Sequence, residues 1–210
     1  MNIRIRSLVQ YPLALALLLA GQLASAQAGY ETLSDAPSGT YALEKTHAYV
    51  AISYSHQGFS RPILLFRDFD ATLELNAEKL AASALTVSID PDSIDSGVDE
   101  FDEHLVGADM FDVDKFPEAA FVATNIREIG NGSFKIDGEF TLKGVTKALT
   151  LDARFNKGGV HFKLNKPHLG FSATAVLKRS EWDLGYAVPF VGDDVAITIE
   201  VEFMKEADPA

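Results

Sequence analysis

Apolar and polar residues alternate one for one along most of the chain. Val195, Ile197, Ile199, Val201 and Phe203 are apolar, while Thr198, Glu200 and Glu202 between them are polar. Successive side chains of a strand point to opposite faces, so this spacing predicts a half-buried strand rather than a helix. Phe134, Ile136, Gly138, Phe140 and Leu142 repeat the pattern, as do Leu149, Leu151, Ala153 and Phe155. Phe171, Ala173, Ala175 and Leu177 form a further set, and Val50, Ile52 and Tyr54, then Phe69, Ala71, Leu73 and Leu75, form two earlier ones. Gly130-Asn131-Gly132-Ser133, Lys143-Gly144 and Lys157-Gly158-Gly159 supply residues that accept positive φ, and each is read as a turn. Strands joined in order by short turns give an antiparallel meander of about eight strands, either a sandwich or an up-and-down barrel. Two features favour the barrel. Several strands run to on the order of ten residues, beyond the usual five or six. The alanines Ala71, Ala153, Ala173 and Ala175 on the inward faces leave room for a lumen.

One segment breaks the alternation. Residues 90–118 hold eleven acidic side chains and one basic one, Lys115. Within them Ser96 is placed as an N-cap, and Val98, Phe101, Leu105 and Ala108 recur at helical spacing. The reading is a short acidic helix whose apolar stripe faces the barrel as a lid, with Phe101, His104, Leu105 and Phe111 as its contacts.

The ends add location. Arg4 and Arg6 precede an apolar run from Leu13 to Ala20, and Ala24-Ser25-Ala26 follows. This is the layout of a cleaved export signal over residues 1–26, and the run is too short to span about 30 Å of hydrocarbon. Residues 27–38 are polar and turn-rich and are expected to be a flexible lead-in. The barrel is expected over 39–205, with 206–210 as a tail. The whole chain of 210 residues carries a net charge of -12. Such acidity opposes nucleic-acid binding, and the absence of cysteine excludes disulfides, thiolate metal sites and a cysteine nucleophile. The acidic segment 90–118 offers a docking face for a basic protein partner, and self-association as a homodimer is compatible with the sequence.

Four ordered motifs resemble the YceI-like family. Lys45-Thr46-His47-Ala48 opens a strand that ends in Ser55-His56-Gln57-Gly58. Asp102-Glu103-His104-Leu105 leads to Asp109-Met110-Phe111-Asp112 and Phe116-Pro117-Glu118. Gly138-Glu139-Phe140-Thr141-Leu142-Lys143-Gly144-Val145-Thr146-Lys147 is similar to the family's central stretch. Lys178-Arg179-Ser180-Glu181-Trp182 and Val191-Gly192-Asp193-Asp194-Val195 complete the series. The resemblance implies an all-β, lipocalin-like extended antiparallel barrel with a small helical cap. It further implies periplasmic location and a polyisoprenoid or similar lipid in the lumen, with no catalytic residue or metal to carry over. The chain departs from the family pattern at Leu64, Phe101 and Asp183, where the family commonly has glycine, arginine and glycine.

The candidate ligand contacts are therefore Ile52, Tyr54, His56, Phe66, Phe69, Phe140, Phe155, Phe171, Ala173 and Ala175. Parity aims His56 inward at the end of its strand, where an imidazole suits the polar head of a quinone or a phosphate. A hydrogen-bonded structural histidine is an equal alternative there. His47, His56 and His104 have no spacing that pre-forms a zinc site, and no metal is expected. No nucleophile elbow or phosphate-binding glycine loop is present, so the chain is read as a non-enzymatic binding protein. It requires no cofactor and holds an isoprenoid or acyl lipid. Two rivals stay open: a small enzyme or redox accessory acting on an isoprenoid quinone, and a ligand-free structural stress protein whose phenylalanines close the core.

Overall fold

The computed structural model describes residues 29–207. The signal-peptide reading of residues 1–26, and its cleavage point, lie outside them.

The strands in chain order are β1 (Gly29–Tyr30), β2 (Gly39–Leu43), β3 (Tyr49–His56), β4 (Ile63–Phe66), β5 (Phe69–Leu75), β6 (Ala84–Ile89) and β7 (Ile94–Asp95). Helix α1 (Asp99–Val106) follows, then β8 (Ala119–Gly130), β9 (Ser133–Leu142), β10 (Val145–Val160), β11 (Pro167–Lys178) and β12 (Val191–Lys205). Eight of these close a barrel in the circuit β2, β5, β6, β8, β9, β10, β11, β12 and back to β2, every pair antiparallel. The expected up-and-down order holds from β8 to β12. The first half is more complex, because β12 serves two partners. Its residues Phe203 to Lys205 pair with β2, and Val191 to Glu200 pair with β3. From β3 the sheet continues through β4 to β7, where it ends.

The long strands follow from the alternation, and the tight turns from residues that tolerate positive φ. Asn131-Gly132 joins β8 to β9 with φ of 53° and 69°, and Lys143-Gly144 joins β9 to β10 with φ of 49° and 73°. Lys157-Gly158-Gly159 is not a turn. β10 runs through it with a bulge between Phe155 and Lys157, and the reversal comes later, at residues 161–166. The glycine there answers a packing need. A Cβ on Gly158 would lie 2.6 Å from Tyr30 Cδ2 and 2.9 Å from Phe155 Cζ.

That contact also corrects the lead-in. Residues 29–38 are pinned to the barrel: Tyr30 packs over Gly158, β1 pairs with β10, and Leu33 is buried. The turn from Thr32 to Asp35 is a reciprocal capping box, with the Thr32 N–H and hydroxyl both donating to Asp35 Oδ2. With Leu33 stand Tyr41 and Leu169, both wholly buried, and the Tyr41 hydroxyl donates to Pro37 O at 2.7 Å. These residues floor one end of the barrel. Burial pushes the Tyr41 phenol well above its ordinary value.

Helix α1 forms where expected, with a different start. Val98, not Ser96, is its N-cap, and Ala108 lies beyond its C-cap, Gly107. Ser96 works one step earlier: its N–H donates to Asp102 Oδ1 at 2.8 Å and its hydroxyl accepts from the Val98 N–H.

Candidate functional site

The inward faces of the strands enclose a cavity of about 390 Å³, within the usual span of small-molecule sites, roughly 300–1,000 Å³. Along β12 its wall runs from Val191 to Phe203. At about 3.3 Å per residue and a strand tilt near 40°, that is roughly 30 Å along the barrel axis. The lining is almost wholly apolar. Among the described residues its exposed members are His56, His104, Tyr186 and Ala187, all at the end opposite the floor, and they frame its mouth.

Most of the expected contacts meet at this wall. Ile52, Tyr54 and His56 line it from β3 in unbroken parity, with His56 exposed at the rim. Phe66 and Phe69 line it from β4 and β5, Phe140 from β9, and Phe171 and Ala173 from β11. The lid residues Phe101, His104, Leu105 and Phe111 all border the mouth half. Leu105 and Phe111 are buried, and the Phe111 ring stands edge-on to Phe66 at 5.9 Å.

Two expected contacts do not reach the cavity. Ala175 has the right parity, but its methyl is buried in the mouth-end core cluster. Phe155 lies past the lumen in the floor, where it packs 5.5 Å from Phe171 and joins Tyr30 and Leu169 over Gly158. Parity fixes the face of a strand and says nothing about height along the axis.

Other wall residues carry no clear signal in the sequence. Phe121 of β8 fills the space above Gly138: a Cβ on that glycine would lie 2.3 Å from its Cζ. Arg179, which the sequence marks only as part of a motif, is a buried cation in the cavity wall. Its guanidinium donates to the carbonyls of Gly192 at 2.9 Å, Tyr186 at 2.9 Å, Val191 at 3.2 Å, and Leu184. Burial lowers its pKa, and the Asp193 carboxylate opposes that shift. Asp193 is itself held by the Ser180 N–H and hydroxyl, both at 2.8 Å. Apart from Ser83, the polar lining residues are Tyr54, His56, His104, Arg179 and Tyr186, and all five lie toward the mouth. The Tyr54 phenol is raised by burial and drawn partly back by Arg179.

The departures from the family pattern have structural counterparts. Leu64 is buried opposite Ile52 and occupies cavity wall where a glycine would leave space. Phe101 stacks on His104 at 6.2 Å. Asp183 has φ 58°, a left-handed position that glycine suits and aspartate tolerates.

His47, His56 and His104 do not gather; the imidazoles that meet are those of His161 and His168, 5.1 Å apart beside the β10–β11 reversal. His56 and His104 are at the mouth, while His47 sits on the outer wall of β12. There His47 Nδ1 hydrogen-bonds Glu44 Oε2 at 2.7 Å, and Glu202 lies close by. The acidic segment is partly consumed by the fold: Asp95 pairs with Arg67 at 2.7 Å, Asp112 with Lys115 at 2.7 Å, and Asp102 caps Ser96. Asp99, Glu100 and Glu103 of α1 remain exposed.

A closed antiparallel barrel with an apolar lumen, a floor and a helical lid is a lipocalin-like binding architecture. The YceI-like domain pattern matches residues 41–203, and the chain belongs to that family. A UPF0312 protein of Pseudomonas putida strain W619 is 34% identical over 197 residues, covering 92% of this chain and 94% of its own. Protein YceI of Salmonella arizonae is 30% identical over 177 residues, covering 83% and 92%. Among solved structures, a Campylobacter jejuni YceI protein superposes with a TM-score of 0.66 at 27% identity, covering 71% of this chain and 88% of that one. Two structures of lower sequence identity share the fold. Burkholderia cenocepacia BcnA has a TM-score of 0.69 at 22% identity, covering 76% and 98%. A polyisoprenoid binding domain from Saccharophagus degradans has 0.62 at 11%, covering 79% and 98%.

Proposed function

We propose that this chain is an exported, periplasmic binding protein that carries a long-chain isoprenoid or related amphiphilic lipid. The tail lies in the lumen and the head at the mouth. One observation carries the reading: a long apolar cavity, floored at one end, has its polar side chains other than Ser83 gathered at the other. An apolar chain inside gains roughly 25 cal/mol per Å² removed from water, less the cost of ordering it. Tyr54, His56, His104 and Arg179 suit a head rich in acceptors, such as a quinone ring. The polyisoprenoid-binding description of the Saccharophagus neighbour supports the same class of tail, and the Arg4, Arg6 and Leu13 to Ala20 pattern supports export. The role is carriage, with no chemistry performed on the ligand.

The test is mass spectrometry of solvent extracts from natively purified protein, beside an Ala173→Trp variant. The parent should yield a prenyl or acyl lipid near one per chain, and the indole at position 173, on the cavity wall, should empty the lumen while the barrel folds. Consistent absence of lipid from the parent overturns carriage. Quinone turnover that is lost in His56→Ala while binding persists would replace the carrier with an enzyme.

A further inference from the structure

The large apolar side chains left in water include a group at the mouth. Phe59 is 87% exposed, Phe190 78% and Tyr186 55%. They belong to two loops that form one projection. Val191, next to Phe190, pairs with His56. The His56 N–H donates to Ser60 O at 3.0 Å, and the Phe59 N–H donates to His56 O at 2.9 Å, which closes the turn bearing Phe59. Residues 184–190 read Leu-Gly-Tyr-Ala-Val-Pro-Phe without a charge, and residues 57–62 carry only Arg61. The Arg179 guanidinium holds the base of the second loop through the carbonyls of Leu184, Tyr186 and Val191. The exposed rings therefore stand on an anchored base.

We infer that this projection docks on a lipid bilayer with little net charge. Phe59, Tyr186 and Phe190 enter the headgroup region and Arg61 meets a lipid phosphate. Three observations select this occupant. Aromatic rings on a nearly charge-free loop favour the membrane–water interface. Within residues 57–62 and 184–190 the one formal charge is positive, which complements phosphate, and Asp183 at the base of the second loop pairs with Lys143. The neighbouring α1, whose His104 ring lies 5.4 Å from Tyr186, exposes Asp99, Glu100 and Glu103, which repel a strongly anionic surface. The docking face is continuous with the cavity, since Tyr186, Ala187 and Val191 line it. A lipid leaving the bilayer passes these residues into the barrel without crossing water. The inference rests on the carrier reading and names the surface from which the ligand comes.

The experiment is vesicle flotation of the purified chain with phosphatidylcholine vesicles and with vesicles containing increasing phosphatidylglycerol. The parent should float with phosphatidylcholine and progressively less as phosphatidylglycerol rises. The Phe59→Ser/Phe190→Ser variant should lose roughly tenfold or more of that partition, as two large apolar contacts are removed. Phe162→Ser, at the far end and 73% exposed in the parent, should leave it unchanged. No partition of the parent, equal partition of the double variant, or equal loss with Phe162→Ser overturns the inference. A concentration-dependent dimer abolished by the double variant, with no vesicle binding, overturns it in favour of a second copy of the chain. Lipid uptake from detergent solution separates the two readings. It should persist in the double variant, and its failure in a parent that still floats counts against carriage alone.

Discussion

The two ends of the barrel are built from opposite materials. At the floor, Tyr41 and Leu169 are wholly buried, Leu33 is tucked beneath the lumen, and three side chains converge on Gly158. At the mouth, the rim is made of exposed His56, His104, Tyr186 and Ala187, and the half-buried Phe101 leans in from a two-turn helix. The floor is close-packed protein interior. The mouth is an open rim where the polar side chains of the cavity other than Ser83 gather, held in shape by a guanidinium bonded to backbone carbonyls. The difference teaches where stability and where exchange reside: substitutions at the floor should unfold the chain, and substitutions at the mouth should change what it holds.

The largest expected effect tests that division directly. Leu169→Ala should cost about 2–5 kcal/mol, as for other fully buried leucines, whereas Phe101→Ala should cost about 1 kcal/mol. Denaturant unfolding of both variants measures the gap, and equal losses would dissolve the contrast. Next comes the wall between the ends. Gly138→Ala sets a methyl against the Phe121 ring and against Val122 O at 2.6 Å, and overpacking of this kind costs about 1–3 kcal/mol. Removing the ring in Gly138→Ala/Phe121→Leu should restore part of that stability, because the contact with Val122 O remains. The smallest effect lies on the outer wall. The hydrogen bond to Glu44 holds the His47 imidazole above its ordinary range, with the charge of Glu202 adding to it. A raised folded-state value means that this contribution is full below the unfolded pKa near 6.5 and is lost as pH rises through the raised value. An NMR titration should find the His47 midpoint above the ordinary range and returned toward it in Glu44→Gln. The effect on stability should be slight, because the His47 imidazole is solvent-exposed.

The sequence made the strand faces legible because alternation is a local property. Val195 to Phe203 reads as one inward row, and each of its apolar members lines the cavity. The acidic helix was legible for the same reason, since its spacing is set within a few residues. Height was not legible. Phe155 and Phe171 share a face and face each other across β10 and β11, but only Phe171 borders the lumen, because a bulge and Tyr30 from a distant segment raise the floor. The docking of residues 29–38 was hidden because polar, turn-rich composition does not reveal that Tyr30 and Leu33 find a place in the barrel. Arg179 was hidden too. Its partners are main-chain oxygens, which leave no trace in residue type.

The division of β12 between two partners has a mechanical consequence. Backbone ladders bind the lower ring all the way round through β2 and β5, but above it β3, β4 and β7 form a flap whose last strand has no ladder to β5 or β6 among the described residues. The flap is closed toward the lid by side-chain contacts such as Phe66 against Phe111. Widening the entrance thus breaks side-chain contacts, the Ser96–Asp102 hydrogen bond among them, and spares the hydrogen-bonded hoop. The vessel can gape at the lip while its base stays sewn, in a local opening far below the cost of unfolding.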